Sequence, residues 1–349
     1  MDTLDRMSTQ ILKIGMIGAG GIVRDRHAPG LSIIPDVTIA SVCNSTPESA
    51  KRFTTDWAPD ATVYESPEEV IDSDCDIIWI GTTPHMHCTL TCAALDAGKH
   101  VFCQARMAMN VAEAERMLAA SEKHSYLVTA LCPPPMGMKA DLLMKQLLAD
   151  NAIGTPHQLR LQSLASIYLD PSGPAHWRQR REISGIQILT LGIYVEVLER
   201  WFGRIASVCA QGNTIHTTRD GYSVEIPDFV DLLCTFESGV QATLNFSGVA
   251  AHAPGDRLEV YGSEGTIVYD FVTEEISLGN ACDPTLTAVP LPPALQRDWS
   301  VEHDFVEAVR NPTAPRPRPN FAEGLDYMRV VEAANQSLSE GIRVAVDAS

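Results

Sequence analysis

The stretch Ile11-Leu12-Lys13-Ile14-Gly15-Met16-Ile17-Gly18-Ala19-Gly20-Gly21-Ile22-Val23 decides how the chain is read. Its first seven residues form a largely apolar run of strand length. Three glycines in the next four positions end that run, and a segment able to form helix follows. Strand, glycine-rich turn and helix, in that order, is the context in which such glycine spacing carries meaning. Gly18 permits a tight turn and Gly20 lets the main chain approach a pyrophosphate. A helix starting at Gly21 and Ile22 offers N–H groups to the anion. Val23 occupies the third glycine position of the fingerprint, so the match is partial. The expectation is a dinucleotide cradle at Gly18, Gly20, Gly21 and Ile22.

The surrounding sequence repeats the strand-helix alternation. Val37–Cys43, Ile77–Gly81, His100–Cys103 and Tyr126–Leu131 read as strands, with helices over Ser49–Trp57, His87–Ala97 and Val111–His124. Near-continuous apolar strands separated by helices predict a doubly wound parallel sheet covered on both faces. The second strand ends at Asn44-Ser45-Thr46, where NAD enzymes usually carry an acid for the ribose diol. Asn44 is neutral: it can bond a ribose without repelling a 2′-phosphate. Ser45 and Thr46 are donors for such a phosphate, with Lys51 and Arg52 nearby. NAD and NADP both fit.

Cys132-Pro133-Pro134-Pro135 interrupts the pattern, because proline cannot continue a helix or a central strand. It divides the chain into a cofactor domain, 1–132, and a second α+β domain, 133–349. The second contains a helix near Lys139–Asp150 and another at Ile188–Arg200. Strands are expected at Leu159–Ile167, Val230–Phe236, Ala242–Val249, Arg257–Tyr261 and Thr266–Phe271. Successive strands without helices between them predict a large, mostly antiparallel sheet. Helices at Val301–Arg310 and Ala322–Leu338 flank a loop at Pro312–Pro319.

Composition excludes several classes. With 349 residues, two domains of ~100–200 residues are natural. A formal net charge of −18 argues against a nucleic-acid partner, which needs a positive footprint. No apolar run approaches the ~18 residues of a membrane span. Met1–Gln10 has no apolar core of a leader, so a cytoplasmic protein is expected. Nine cysteines show no paired framework and read as reduced residues. Cys88 and Cys92 lack the extra partners of a zinc site, so no metal is expected.

Further motifs resemble the glucose-fructose oxidoreductase / inositol dehydrogenase / MocA family over nearly the whole chain. Asp76-Ile77-Ile78-Trp79-Ile80-Gly81-Thr82-Thr83-Pro84-His85-Met86-His87 looks like the family's strand and Thr-Pro turn. Ala94-Leu95-Asp96-Ala97-Gly98-Lys99-His100-Val101-Phe102-Cys103 is similar to its helix-Gly-Lys-His-Val strand. Gly262-Ser263-Glu264-Gly265-Thr266 is similar to a turn of its C-terminal sheet. The resemblance implies a Rossmann domain joined to an open-faced sheet that pairs in homodimers or homotetramers. It also implies hydride transfer between NAD(P) and a hydroxyl carbon of a sugar, cyclitol or sugar acid. On that reading Thr82, Thr83, Pro84, His87 and Gln104 join Asn44 and Ser45 against the cofactor, and His85 contacts substrate.

The departures fall on the chemistry. The family's Glu-Lys-Pro motif lies on Gln104-Ala105-Arg106, and its later Asp and His lie on Thr190 and Tyr194. Alcohol oxidation needs a group to take the hydroxyl proton, worth ~10²–10⁴-fold in rate. A relocated pair is expected, with Tyr194 as acid/base, its phenolate favoured by the cation of Arg106. Thr190 then faces substrate. His176-Trp177-Arg178-Gln179-Arg180-Arg181 adds a basic cluster in which His176, Arg178 and Arg181 suit an anionic or polyhydroxylated ligand. Two alternatives share this sequence: an oxidation-assisted glycoside-cleaving enzyme that returns its hydride, and a regulator that binds dinucleotide and sugar without turnover.

Overall fold

The computed structural model describes residues 11–346, which separate into two compact units. The charged opening Met1–Gln10, read above for the absence of a leader, lies outside the described residues. The first unit comprises the stretch ending at Met107 together with Glu115–Pro133 and Ser300–Phe321. The second comprises Ala108–Ala114, Pro134–Trp299 and the stretch from Ala322 onward. The return of Ser300–Phe321 to the first unit has no counterpart in a division at 132/133.

The first unit holds β1 (Leu12–Ile17), β2 (Val37–Cys43), β3 (Thr62–Val63), β4 (Ile77–Ile80), β5 (His100–Cys103) and β6 (Thr129–Leu131). They form one sheet in the order β3-β2-β1-β4-β5-β6, and every neighbouring pair is parallel. All four residues of β4 are buried, as a strand covered on both faces requires. β1 pairs with both β2 and β4, so the chain reverses its direction of progress across the sheet beside β1. Ligands of such sheets bind at that switch point, outside the carboxyl ends of the strands. The intervening helices include α1 (Ala28–Ser32), α2 (Pro47–Trp57), α3 (Pro67–Asp72), α4 (Pro84–Asp96) and α5 (Val111–Lys123). α2 and α3 start alike: Thr46 and Ser66 cap them and proline takes the first helical position. A hydroxyl there satisfies an orphan amide, and proline lacks the N–H that would be orphaned. The proline-rich loop before Phe321 closes the sheet edge, since Leu131 N–H donates to Pro319 O at 3.0 Å.

The second unit holds α6 (Asp141–Ala149), β7 (Pro156–Leu164), α7 (Arg181–Ser184), α8 (Leu191–Phe202) and β8 (Ile205–Asn213). Then follow β9 (Thr218–Arg219), β10 (Tyr222–Ser223), β11 (Phe229–Phe236), β12 (Gln241–Ser247), β13 (Arg257–Gly262), β14 (Gly265–Asp270), β15 (Glu275–Asn280), β16 (Thr287–Val289) and β17 (Val344–Ala345). Nine of these strands form a sheet in the order β16-β15-β14-β13-β7-β12-β11-β8-β17. The pairing is antiparallel except where β12 runs parallel to β7. β11 and β12 alternate buried with less buried residues, the pattern of a sheet covered on one face. α8 lies on the covered face: Tyr194 meets Phe271 edge-on at 5.1 Å and Trp201 stacks over Phe271 at 6.4 Å. β8, with Ser207, Gln211 and Gly212 in its run, carries too weak an apolar pattern to be read from sequence. Among the described residues, no helix is long and apolar enough to cross a membrane.

Candidate functional site

The cradle is built where β1 ends. Gly18 has φ +86°, a left-handed conformation, and a Cβ there would lie 2.7 Å from the Thr82 amide nitrogen. Gly18 N–H donates to Cys43 O at 2.8 Å, and Ala19 N–H donates to Asn44 Oδ1 at 3.2 Å. These bonds tie the loop to the end of β2. Gly20, Gly21 and Ile22 are exposed, and a Cβ on Gly20 would meet nothing within 4 Å. The first helical hydrogen bond runs from Arg24 N–H to Gly20 O at 3.1 Å. The amides just before Arg24 are therefore the ones a helix start leaves to an anion. The turn Val23–His27 is π-helical and passes into α1 at Ala28. Such turns concentrate at functional sites.

The same unit presents the Thr-Pro turn. Thr82 Oγ1 is buried with no hydrogen-bond partner among the described residues, and Thr83 precedes Pro84 at the start of α4. An open anion-binding loop, an orphaned hydroxyl beside it and a neutral Asn44 at the end of β2 fit a nicotinamide dinucleotide. Ser45 is exposed, as are Lys51 and Arg52 on α2. His85 is exposed on the first turn of α4, its Nδ1 3.0 Å from Thr83 Oγ1.

Two residues expected at the cofactor point into the protein instead. His87 is fully buried: Nδ1 faces the carbonyls of Arg106 (3.0 Å) and Met107 (3.1 Å), and Nε2 faces that of Thr82 (3.0 Å). Burial lowers its pKa, outweighing the carbonyls that favour the charged ring. Its ring ties the Thr82 turn to the chain after β5 and has no nitrogen left for a ligand. The Gln104 amide is likewise committed inward, to Nε2 of His27. His27, given no role from sequence, is buried edge-on against the stacked rings of Trp79 and Phe102, and its Nδ1 contacts Glu302. Arg106 is also buried, at 3% exposure.

In the second unit the segment after α7 folds onto its own framework. A Cβ on Gly185 would sit 2.0 Å from the Met109 carbonyl oxygen, and Ile186 N–H donates to that oxygen at 2.9 Å. Gln187 is buried and donates to Ala108 O at 3.3 Å. Thr190 Oγ1 lies 3.0 Å from Ser163 Oγ. Tyr194 is fully buried and its hydroxyl donates to Asp256. Burial pushes the Tyr194 phenol far above its ordinary pKa, and the Asp256 charge pushes it further. The expected phenolate is overturned: the phenol meets the Asp256 carboxylate, and a neighbouring anion opposes ionisation. The basic cluster divides as well. Arg180 pairs with Glu182 at 3.1 Å and Arg181 with Glu225 at 3.2 Å. Arg178 instead stacks 4.2 Å over the Trp177 ring, next to the exposed His176.

Comparison with known proteins decides the kinship. Residues 12–131 match a model described as an oxidoreductase family with NAD-binding Rossmann fold, and residues 142–268 match the GFO/IDH/MocA C-terminal domain. The chain belongs to the Gfo/Idh/MocA oxidoreductase family. Within it, the chain is 26% identical to myo-inositol 2-dehydrogenase of Thermotoga maritima over 269 residues, covering 75% of this chain and 76% of that one. It is 24% identical to levoglucosan dehydrogenase of Pseudarthrobacter phenanthrenivorans, covering 95% and 97% of the two chains. A solved levoglucosan dehydrogenase in complex with NADH superposes with a TM-score of 0.87 at 22% identity, covering 97% of this chain and all of that one. That similarity establishes the shared fold. As a family member the chain has an NAD-binding Rossmann domain, built around the loop at Gly18.

Sequence reasoning missed Asp256, His27 and Glu302. Tyr194 and Asp256 are 62 positions apart, His27 and Glu302 are 275 apart, and no local pattern links either pair.

Proposed function

We propose that the protein transfers a hydride between NAD(P) and a hydroxyl-bearing carbon of a sugar, cyclitol or sugar acid, with His85 as its acid/base. The observation that carries this reading is the open loop at Gly20, set at the switch point of a β3-β2-β1-β4-β5-β6 sheet. The names of the relatives, inositol and levoglucosan dehydrogenases, support the substrate class. A bound nicotinamide supplies the hydride acceptor.

The chain's own residues then have three tasks. Gly20, Gly21 and Ile22 hold the pyrophosphate with main-chain amides, and Asn44 and Ser45 meet the ribose. Thr82, Thr83 and Pro84 form the turn beside the reactive ring. His85 takes the hydroxyl proton as the substrate's C–H bond breaks, and returns it in the reverse direction. A neutral imidazole carries one nitrogen that accepts a proton and one that donates, which suits both directions. Three observations favour His85: Ala105 has no proton to exchange, Tyr194 is buried with its pKa raised, and His85 is exposed beside Thr83.

The test is a fluorescence titration with NADH and NADPH, followed by turnover on a panel including myo-inositol and levoglucosan. His85→Ala is expected to lose ~10²–10⁴-fold in kcat while keeping its NADH affinity. Absence of any nicotinamide nucleotide binding overturns the functional reading. Wild-type turnover in His85→Ala removes the acid/base assignment alone.

A further inference from the structure

Cys88 and Cys92 stand one turn apart on α4, a spacing that puts both side chains on one face of the helix. Cys88 is 2% exposed, while Cys92 is half-buried at the rim of that face. Cys92 Sγ lies 3.9 Å from the Arg116 carbonyl oxygen of α5, so a second helix of the same unit borders the pair. Neither sulfur is in a disulfide. Among the described residues no third His, Cys, Asp or Glu side chain joins them as a metal cluster requires.

The surroundings give the two sulfurs different characters. The Cys88 thiol hydrogen-bonds to the Cys92 sulfur, and this bond brings the Cys92 pKa down to about 7. Burial opposes that shift, the Arg116 charge adds to it, and the Asp96 charge opposes it. Asp96 itself pairs with Lys123 at 2.7 Å and His124 at 2.9 Å. Burial instead pushes the thiols of Cys43, Cys103, Cys132 and Cys234 up. The thiolate is the reactive form of cysteine, so a half-exposed sulfur that ionises near neutrality is where an oxidant attacks. A thiol one turn away supplies what the oxidised sulfur then needs. Four residues of helix rise about 6 Å, within the Cα separation a disulfide tolerates. The Cβ atoms of such a pair start about 5–6 Å apart, so closing the bond draws the turn in by about 1–2 Å.

We propose that Cys92 and Cys88 form a peroxide-reactive dithiol, in which Cys92 is oxidised and Cys88 resolves it to a disulfide within α4. The Cys92 thiolate attacks one oxygen of a hydroperoxide. The S–O bond forms, the O–O bond breaks, and the departing oxygen takes a proton and leaves as water or an alcohol. Cys92 is then a sulfenic acid. The Cys88 sulfur attacks it: the S–S bond forms, the S–O bond breaks, and the hydroxide takes the Cys88 proton and leaves as water. The two sulfurs together give up the two electrons that reduce the hydroperoxide. Every group involved lies in the first unit, and the proposal stands independently of the oxidoreductase reading.

The experiment treats the full-length, prereduced protein with excess hydrogen peroxide and maps its cysteines by mass spectrometry. The wild type is expected to lose two hydrogens between Cys88 and Cys92, and dithiothreitol to restore them. Cys88→Ser keeps an O–H beside Cys92 and is expected to hold a sulfenic acid there, which dimedone traps. Cys92→Ser is expected to leave Cys88 a thiol. Wild-type Cys92 left reduced by excess peroxide overturns the proposal, as does a disulfide joining Cys92 to any other cysteine. A lasting sulfenic acid on wild-type Cys92 overturns the resolving role of Cys88. These wild-type outcomes need no substitution, so they decide the matter even where a variant fails to fold.

Discussion

The loop at Gly18–Ile22 and the segment at Ser184–Tyr194 are both glycine-containing approaches to a helix, yet their glycines serve opposite ends. Gly20 borders open space, and the amides following it are presented outward. Gly185 exists so that the chain can lie against Met109, and the polar groups after it turn inward: Gln187 to Ala108, Thr190 to Ser163, Tyr194 to Asp256. At Gly20 the missing Cβ leaves room unfilled, whereas at Gly185 the main chain takes that room. The cofactor side of this family member keeps its vacancy for chemistry, whereas the second motif has converted its polar residues into framework.

The sharpest way to break this contrast is a single methyl group in each place. Gly185→Ala puts a Cβ against a main-chain oxygen at a residue with φ +62°, and should cost about 3 kcal/mol or more, read as a large drop in melting temperature. Gly20→Ala, with nothing within 4 Å, should leave stability within about 0.5 kcal/mol and instead weaken NADH binding. Equal thermal losses at the two sites would undo the distinction. Next in size is Tyr194→Phe. Asp256 loses its buried donor, an expected cost of about 1–2 kcal/mol, while turnover stays near the wild-type rate. A collapse in kcat with unchanged stability would restore Tyr194 to the chemistry.

The smallest effect is a pH dependence on the cofactor side. The pKa of His87 is lowered by burial, so between that value and the ordinary ~6.5 the unfolded chain binds a proton that the folded one refuses. The stability contributed by the neutral ring is complete above ~6.5 and is lost as pH falls below it. Acidification from pH 7 to 5.5 should therefore destabilise the folded protein through this group. Melting curves of the wild type and His87→Gln at both values check it; parallel losses in the two proteins would exonerate the ring.

What the sequence disclosed follows the range of the forces involved. The β1 strand, its glycine turn and the proline-capped start of α2 are local events, and each was readable from a dozen residues. So was the alternation of β11 and β12. Pairings between distant positions were not. The basic run at 176–181 looked uniform because Glu225, which pairs with Arg181, is 44 positions away. Tyr194 resembled a displaced acid/base because its position in α8 was legible and the Asp256 carboxylate meeting it was not. His87 reads as a ligand contact until three carbonyls are seen to surround it.

The return of Ser300–Phe321 governs when the nucleotide-binding half can be completed during synthesis. Glu302 fills the space beside Gly30 and contacts His27, Phe305 packs edge-on against Trp79 and Phe102, and Pro319 supplies the acceptor for Leu131. None of these exists while the ribosome is still translating the intervening sheet. The nascent chain must carry an unfinished Rossmann core through more than half of its own translation, and a fragment ending at residue 132 would lack the part that seals it.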